Sequence, residues 1–440
     1  MSHHAFALAL ASVEPAARLG MVRRVLPGHV EASGPFATLG DVCEIERDGA
    51  SSVLAEVAAV EDSHVVLIPF DATAAIFPDA RVRARPARSM AQVGEGFAGR
   101  AIDALGEPLD GGPRPLASDT APLEGRVLAP MQRLEPRTML ETGIRALDGL
   151  LTLGRGQRVG VFSASGVGKT TLVKQLAAQT ACDRCVLCLV GERGREVEAM
   201  WRELSSRNHR KLYTCVAATS DLSAPLRARA VHQALSLSEH WRAEGQHVLL
   251  IVDSVTRYAM ALREIGLAAG APPTLRAYTP NVFAALPRLV ERCGASKSGG
   301  SITALMTVLA ETDDVDDPIV EVMKALLDGH IVLSRQLAEQ GHFPAIDVLR
   351  SVSRQSEALM QQDHAADVRR ATALLAAYED ARVMIESGIY KAGANAALEE
   401  AMRARPALLE FLRQKPSERT APADTTAWLK AALAKSQSHA

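Results

Sequence analysis

The stretch VFSASGVGKTTLVKQLA carries the clearest chemical signal in this chain of 440 residues. An apolar run leads into small residues, and a helical pattern begins at the Gly168-Lys169-Thr170 triplet. A polyphosphate needs backbone N–H groups that no Cβ atom obstructs, a helix amino terminus, an ammonium group and a hydroxyl for Mg²⁺. We therefore predict a phosphate-binding loop made of Ser163, Ala164, Ser165, Gly166, Val167, Gly168, Lys169, Thr170 and Thr171.

A second apolar run, HVLLIVDS, ends in an acidic residue, Asp253. Parallel strands present their carboxyl ends at one edge of a sheet, and ligands bind there. We expect Thr170 to bind Mg²⁺ directly and Asp253 to support the metal through a water molecule. Ser254 occupies the next position, where many such sites carry a glutamate, so the carboxylate that polarises the attacking water must come from another strand.

The stretch ACDRCVLCLVGERGRE allows two interpretations. The spacing of Cys182, Cys185 and Cys188 is that of an iron–sulfur ligand run, but a fourth Cys followed by Pro is missing. If the segment is a strand, Cys185 and Cys188 point to opposite faces and cannot bind one cluster. We predict a buried strand, with no iron–sulfur cluster and no zinc. Glu192 follows this strand and is expected to lie near the phosphate loop. It is either the base that polarises the attacking water or a member of a structural ion pair.

The composition gives no global preference for a polyanionic partner. The formal net charge is −2, aromatic residues make up 4% of the chain, and six cysteines in 440 residues do not indicate a disulfide framework. The first residues, MSHHAFALALASVEPAA, are interpreted as an N-terminal arm over residues 1–20. They lack the Lys or Arg of a signal peptide, and either a docking arm or an unstructured tail fits them.

Three regions follow the arm. Short alternating runs in residues 21–92 predict a small β-barrel, in which the arginine row of DARVRARPAR either binds phosphates or faces solvent. In residues 93–360, five apolar runs alternate with helical stretches and predict a covered parallel sheet. Residues 361–440 have helical periodicity. The predicted fold class is α/β, with a P-loop core, an N-terminal barrel and a C-terminal helical domain.

Long colinear segments of the chain resemble the type III protein-export ATPases, which serve the flagellum and the injectisome and are related to the catalytic subunit of rotary ATP synthases. The resemblance is carried by GRAIDALGEPLDG, ETGIRALDGLLTLGRGQRVGVF, LVGERGREVE, LLIVDSVTRYAMALREIGLAAGAPP, LLDGHIVLSRQLAEQGHFPAIDVLRSVSR and SGIYKAGAN. It implies a RecA-like core in a homohexameric ring, ATP as substrate and Mg²⁺ as cofactor. It also implies catalytic roles for Lys169, Glu192, Arg193 and Arg354, with Arg354 as an arginine finger that reaches the neighbouring subunit's nucleotide.

The same resemblance implies stator and central-stalk proteins, export chaperones and their substrates as partners, and no nucleic acid. It implies a cytoplasmic protein at the inner face of the inner membrane. Two alternatives stay open, a rotary ATP synthase catalytic subunit and an RNA-translocating ring helicase. One chain carries both the phosphate loop and the finger, which favours identical subunits, and the barrel has few aromatic residues for base stacking. No aromatic residue is assigned to the nucleobase.

Overall fold

The computed structural model describes residues 18–47, 49–207, 212–310, 317–391 and 393–435. The predicted N-terminal arm, residues 1–20, lies almost wholly outside these ranges. None of the helices in the described ranges has the length and apolar character of a membrane span.

The first six strands close into an antiparallel barrel in the order β1-β2-β5-β4-β3-β6. They are β1 (Leu19–Leu26), β2 (His29–Ser33), β3 (Val42–Arg47), β4 (Ala50–Val60), β5 (Val65–Pro69) and β6 (Arg81–Ala84). Alternate side chains such as Ile45, Leu67 and Val82 fill the barrel, so the predicted small barrel is confirmed. On the outside of β6, Arg83 lies 3.7 Å from a carboxylate oxygen of Glu46, which fits the solvent-facing interpretation of the arginine row.

A connector and the strands of the central sheet follow. The connector holds β7 (Met90–Val93), β8 (Ala101–Ile102), β9 (Asp119–Pro122) and β10 (Arg133–Leu134). The later strands are β11 (Arg158–Ser163), β12 (Arg184–Val190), β13 (Tyr213–Ala218), β14 (His247–Asp253), β15 (Gly294–Ser296), β16 (Ser301–Leu309), β17 (Gly329–Val332) and β18 (Val352–Ser353). The sheet order is β18-β17-β11-β16-β14-β12-β13-β8, and β18 alone in that series is antiparallel to its neighbour.

Helices cover both faces of this sheet, and alternate residues of each strand enter two different cores. Leu187 of β12 packs on one side, while its neighbour Val186 packs on the other. The helices are α1 (Arg145–Leu150), α2 (Lys169–Gln179), α3 (Gly194–Ser205), α4 (Ala224–Ala243), α5 (Val255–Ala268), α6 (Pro280–Glu291), α7 (Pro318–Leu326), α8 (Arg335–Glu339) and α9 (Ser356–Leu359). Short 3₁₀ turns occupy Pro86–Ser89, Glu95–Phe97, Pro130–Gln132 and Leu275–Ala277.

The C-terminal helices are α10 (Gln362–Glu386), α11 (Ala396–Leu412) and α12 (Pro422–Ala434). They pack on α1, whose Arg145 is only 3% exposed. Its Nε donates to the carbonyl of Phe411 at 2.7 Å, and its guanidinium lies over the ring of Trp428. The end of α11 and the helix α12 are thereby fastened to α1.

A buried polar network joins the barrel and connector to the central layer. Arg229 on α4 lies 3.6 Å from a carboxylate oxygen of Glu56 on β4. Arg292, 1% exposed, donates to both carboxylate oxygens of Glu239, at 2.8 and 3.0 Å, and to the connector carbonyl of Leu123 at 2.9 Å. Two buried guanidinium groups therefore hold the first third of the chain against α4.

The five apolar runs predicted as sheet strands all form strands, but the other five strands of this ten-stranded sheet were not predicted, namely β8, β10, β15, β17 and β18. Each of these contains four residues or fewer, too few for an alternation pattern to show. The residue limits of the predicted domains stay predictions.

Candidate nucleotide site

The phosphate loop connects β11 to α2. Val167 is 2% exposed and anchors the loop in the core, while Ser165 and Gly166 face solvent. Gly166 and Gly168 have φ values of +80° and +99°, a region that favours glycine. Gly168 is also the residue that caps α2, so the first backbone N–H groups of that helix open toward the loop. The segment therefore has the geometry of an anion cradle.

Ser163 and Ala164 begin the loop where small residues are needed. Ser163 is 2% exposed, and its hydroxyl oxygen is buried without a hydrogen-bond partner in the described part of the chain. Thr170 and Thr171 are exposed in the first turn of α2, so their hydroxyls can meet a ligand on the cradle.

Lys169 joins the loop to two acidic residues from other strands. Its Nζ donates to Oδ1 of Asp253 at 2.6 Å and lies 3.5 Å from Oε1 of Glu192. Asp253 ends β14, Glu192 follows the end of β12, and Lys169 begins the helix that follows β11. The parallel sheet aligns the ends of these three strands at one edge. The structure thus brings the predicted ammonium, metal-supporting and water-polarising groups together.

Glu192 is held at the edge by a tight turn after β12. Gly191 has a φ of +68°, and a Cβ there would lie 3.0 Å from the side chain of Arg257, so a larger residue would push the turn away from α5. Burial raises the pKa of Glu192, the Lys169 ammonium opposes that shift, and the negative charge of Asp253 adds to it. A carboxylate with a raised pKa is a better base toward water.

Asp253 is 3% exposed and Thr307, on β16, is fully buried. Thr307 Oγ1 donates to Asp253 Oδ1 at 2.6 Å. Both hydrogen bonds that Asp253 accepts within the described ranges therefore end on Oδ1, and Oδ2 is left for a water or metal-bound ligand. Sequence reasoning missed Thr307, which carries no motif and is identified only by the pairing of β14 with β16.

The cysteine-rich strand behaves as its alternation predicts. Cys185 packs in the core on one face of the sheet and Cys188 in the core on the other. Burial raises the pKa of both thiols. Cys182 precedes the strand and is partly buried. Among the described residues, no group of three or more His, Cys, Asp or Glu side chains is arranged to hold a metal ion.

Arg354 does not join this cluster. It is exposed, its Nη2 donates to the carbonyl of Lys324 at 3.3 Å, and its backbone N–H donates to the carbonyl of Asp328 at 3.0 Å. Arg193 is exposed beside Glu192, where α3 begins.

A cleft of about 280 Å³ borders the loop. Phe343 lines this cleft, and a Cβ added to Gly168 would lie 3.7 Å from the Phe343 ring. Phe343 is 46% exposed, so its ring offers a stacking surface beside the phosphate cradle. The remaining walls are apolar or amide side chains, namely Leu172, Gln175, Leu333, Pro344, Ala345, Gln414 and Pro416, with Thr171 at the loop. Sequence reasoning missed this set, because Phe343 and Gln414 are far from the phosphate loop in the chain. The only local signal was an aromatic residue before a proline in HFPAID.

A phosphate loop at the carboxyl edge of a parallel sheet, with an ammonium, two carboxylates and an aromatic cleft around it, defines a RecA-like P-loop ATPase. Residues 143–353 match the model of the ATP synthase alpha/beta family, nucleotide-binding domain, and residues 360–431 match that of the T3SS EscN ATPase C-terminal domain. The chain belongs to the type III export ATPases within the ATP synthase alpha/beta family.

The relatives come from both branches of that family. The chain is 42% identical to the flagellum-specific ATP synthase of Bacillus subtilis (strain 168), over 91% of this chain and 92% of the relative. It is 41% identical to the type 3 secretion system ATPase of Xanthomonas euvesicatoria, over 94% of each chain. The assembled ATPase EscN of enteropathogenic E. coli, solved in complex with its central stalk EscO, matches with a TM-score of 0.86 and 34% identity, over 94% of this chain and all of that chain.

Proposed function

We propose that this chain hydrolyses ATP in a closed homohexamer and so energises type III protein export, of the flagellar or the injectisome type. In this proposal the released energy unfolds chaperone-bound substrates and frees them at the export gate. The observation that carries the catalytic part is the convergence of Lys169 with Glu192 and Asp253 at the phosphate loop. The export part is supported by the family to which the chain belongs.

Each residue of the cluster has a proposed task. The N–H groups around Gly166 and Gly168 cradle the phosphates, and Lys169 moves from Asp253 toward the β- and γ-phosphates when nucleotide binds. Glu192 then orients and polarises the attacking water. Arg193, exposed beside it, is assigned to the charge that develops on the phosphoryl group.

The residues fit a magnesium ion that arrives with the nucleotide. Mg²⁺ keeps several waters and uses one or two protein oxygens together with substrate phosphates, so the Thr170 hydroxyl, with Asp253 acting through a water, would be a sufficient protein contribution. The ion, when bound, neutralises phosphate charge. Thr307 and Lys169 hold Asp253 by Oδ1, which fixes the orientation of Oδ2.

We propose that Arg354 acts on the site of another subunit, because the phosphate loop of its own chain is out of its reach. Ser353 pairs with Gly329, and Gly329 pairs with Val159 near the beginning of β11. Arg354 therefore lies at the amino edge of the sheet, ~13 Å along the strands and ~10 Å across two strand spacings from the loop. A single side chain does not span that gap, so the proposed arginine finger completes a neighbour's site in the ring.

A mixing experiment tests the catalytic proposal. Lys169→Ala and Arg354→Ala should each abolish ATP hydrolysis, the second with a loss on the order of 10³-fold. In randomly assembled mixed rings about a quarter of the interfaces pair an intact loop with an intact finger, so some activity should return. Arg369→Ala, an exposed arginine bonded to Glu357 at 3.0 Å, serves as the matched control and should keep full activity.

Full activity of Arg354→Ala rings would refute the finger assignment. If a mixture of Lys169→Ala and Arg354→Ala rings regains ATP hydrolysis although the rings do not exchange subunits, the active sites are not shared between subunits. ATP hydrolysis that survives Lys169→Ala would refute the site itself.

The proposed partners follow from the family. We propose a central-stalk protein in the ring channel, because EscN has been solved with its stalk EscO, and we add stator proteins, export chaperones and their substrates. The proposed location is the cytoplasmic face of the inner membrane, as a peripheral protein. A strain that carries Lys169→Ala should fail to export, and normal export by that strain would refute the energising role.

A further inference from the structure

We infer that Gln157 and Asp328 are positioning residues for the proposed arginine finger, Arg354. They fasten the backbone of Ser353 and Arg354 to β11, so that the guanidinium projects toward the neighbouring subunit from a fixed point. This inference rests on the proposed function, because it assigns the residues that hold the finger of the shared site. Gln157 directly precedes β11 and Asp328 directly precedes β17, so both lie at the amino edge of the sheet.

The finger follows a strand of only two residues, β18. Arg354 is exposed, and its guanidinium donates to the carbonyl of Lys324 at 3.3 Å. A long, exposed arginine side chain has many rotamers open to it. The direction in which it reaches therefore depends on how firmly its backbone is held.

The carbonyl of Asp328 accepts two hydrogen bonds that define this backbone. One comes from the backbone N–H of Arg354 at 3.0 Å, and the other comes from Nε2 of Gln157 at 3.3 Å. The same Nε2 donates to Oγ of Ser353 at 3.1 Å, and that hydroxyl donates to the carbonyl of Thr152 at 2.9 Å. A primary amide has two N–H donors, so the fully buried Gln157 joins residue 353 to the carbonyl that holds residue 354.

The carboxylate of Asp328 is held by the first residue of β11, Arg158. Nε of Arg158 donates to Oδ2 at 2.9 Å, and Nη2 donates to Oδ1 at 2.8 Å. The backbone N–H of Arg158 donates to Oδ2 at 3.0 Å, and the backbone N–H of Asp328 donates to the carbonyl of Arg158 at 2.9 Å. A bidentate pair fixes geometry as well as adding energy. Asp328 is therefore fixed to the strand that leads into the phosphate loop.

The junction of these segments leaves little room for displacement. A Cβ on Gly329 would lie 2.5 Å from the carbonyl oxygen of Val352 and 3.3 Å from Nε2 of Gln157. Oε1 of Gln157 accepts from the backbone N–H of Gly154 at 2.8 Å, which sets the orientation of the amide. The two N–H donors of Gln157 are thereby aimed at the finger segment.

A loosened finger should affect turnover more than binding. An arginine finger acts on charge in the transition state, so a change confined to it lowers kcat and leaves KM nearly unchanged. A catalytic group displaced by about 1 Å can cost ~10²-fold in rate. We expect Gln157→Leu to lower kcat by ~10–100-fold, with KM for ATP within ~3-fold of wild type.

Asp328→Asn is a second variant, which keeps the size of the side chain. One of its two oxygens becomes an N–H donor that faces the guanidinium of Arg158, so kcat should fall by ~10-fold or more. The matched control is Asp110→Asn in the connector, where Nε and Nη2 of Arg100 donate to the two carboxylate oxygens at 2.7 and 2.8 Å. That control should lower the free energy of unfolding and leave kcat unchanged.

The test begins with kcat and KM for ATP on assembled rings, together with the binding of a fluorescent ATP analogue. Mixed rings then separate a misplaced finger from a damaged loop. Lys169→Ala subunits supply an intact finger to the intact loop of Gln157→Leu subunits at about a quarter of randomly formed interfaces. Hydrolysis by that mixture should exceed the sum of the two proteins measured separately. A mixture of Gln157→Leu with Arg354→Ala has no intact finger and should show no gain.

The mixtures also give the results that would overturn the inference. A gain with Arg354→Ala subunits and none with Lys169→Ala subunits would show that Gln157→Leu damages its own loop. Wild-type kcat in assembled Gln157→Leu and Asp328→Asn rings, with Arg354→Ala inactive, would overturn the inference and leave the proposed function intact. Full activity of Arg354→Ala would instead refute the finger, which belongs to the proposed function.

Discussion

Replacing Thr307 by valine isolates the hydrogen bond that orients Asp253. The two side chains have nearly the same shape, so the substitution removes a hydroxyl from the buried face of β16 with little repacking. That hydroxyl donates to Oδ1 of Asp253 at 2.6 Å, and the other partner of Oδ1 is the ammonium of Lys169. Without Thr307, the remaining hydrogen bond to the Asp253 side chain within the described ranges comes from Lys169, which in the proposed function moves to the phosphates when nucleotide binds.

The size of the effect follows from the charge on the acceptor. A hydrogen bond to a charged group contributes about 1.5–3 kcal/mol, and about 1.4 kcal/mol corresponds to a factor of ten. We therefore expect the free Mg²⁺ concentration that gives half-maximal ATP hydrolysis to rise by roughly 10- to 100-fold. At saturating Mg²⁺ the turnover should recover most of its wild-type value, because Lys169 and Glu192 are untouched.

The assay is a Mg²⁺ titration of steady-state hydrolysis at saturating ATP, with urea unfolding measured in parallel. Thr214→Val is the matched control, because Thr214 is 1% exposed on β13 and donates to the carbonyl of Phe97 at 2.9 Å. It should lower the free energy of unfolding while the Mg²⁺ titration stays at the wild-type midpoint. A wild-type midpoint in the Thr307→Val protein would refute the role of Asp253 as the metal-supporting carboxylate.

Three further predictions concern the site and its attachment. Glu192→Gln should bind ATP as wild type does but turn it over ~10²-fold or more slowly, and near-normal turnover would place the base elsewhere. Burial raises the pKa of Glu56 to about 7, so the folded state holds a proton that the unfolded chain releases near pH 4.3. The free energy of unfolding should therefore fall as the pH rises from about 4.3 to 7. Urea unfolding of Glu56→Gln should show a weaker dependence on pH over this range, and an unchanged dependence would refute the assignment to Glu56. Gly125→Ala puts a Cβ 2.3 Å from the guanidinium of Arg292. It should lower the free energy of unfolding by about 1–3 kcal/mol more than the control Gly111→Ala, where the φ is also positive but no atom lies within 4 Å. Equal losses of unfolding free energy in the two variants would show that the contact with Arg292 relaxes without cost.

The sequence predicted the parts of the molecule whose signals are local. Alternation defined the barrel strands, uninterrupted apolar runs defined the central strands, and the alternation of Cys185 and Cys188 predicted their separation onto two faces. The strand-end positions of Lys169, Glu192 and Asp253 led to the expectation that they meet, since parallel strands align their carboxyl ends at one edge.

What the sequence did not predict depends on contacts between distant segments. Thr307 supports Asp253 because of strand register, and the Phe343 ring is fixed by a backbone hydrogen bond from Gln414. Neither residue belongs to a periodic pattern. The proposed role of Arg354 was taken only from the resemblance, and its position at the amino edge of the sheet follows from the short strands β17 and β18.

The turn after α11 supplies two walls of the cleft beside the phosphate loop, and this has a consequence for biosynthesis. The phosphate loop is held by β11 and its neighbours β16 and β17, which are all made by residue 332, but the cleft also needs Gln414 and Pro416 as walls. A nascent chain still held on the ribosome before those residues emerge has a loop for phosphates and no enclosed place for the base. Such a chain is expected to bind nucleotide weakly, so incomplete chains neither sequester ATP nor start to hydrolyse it before they can assemble.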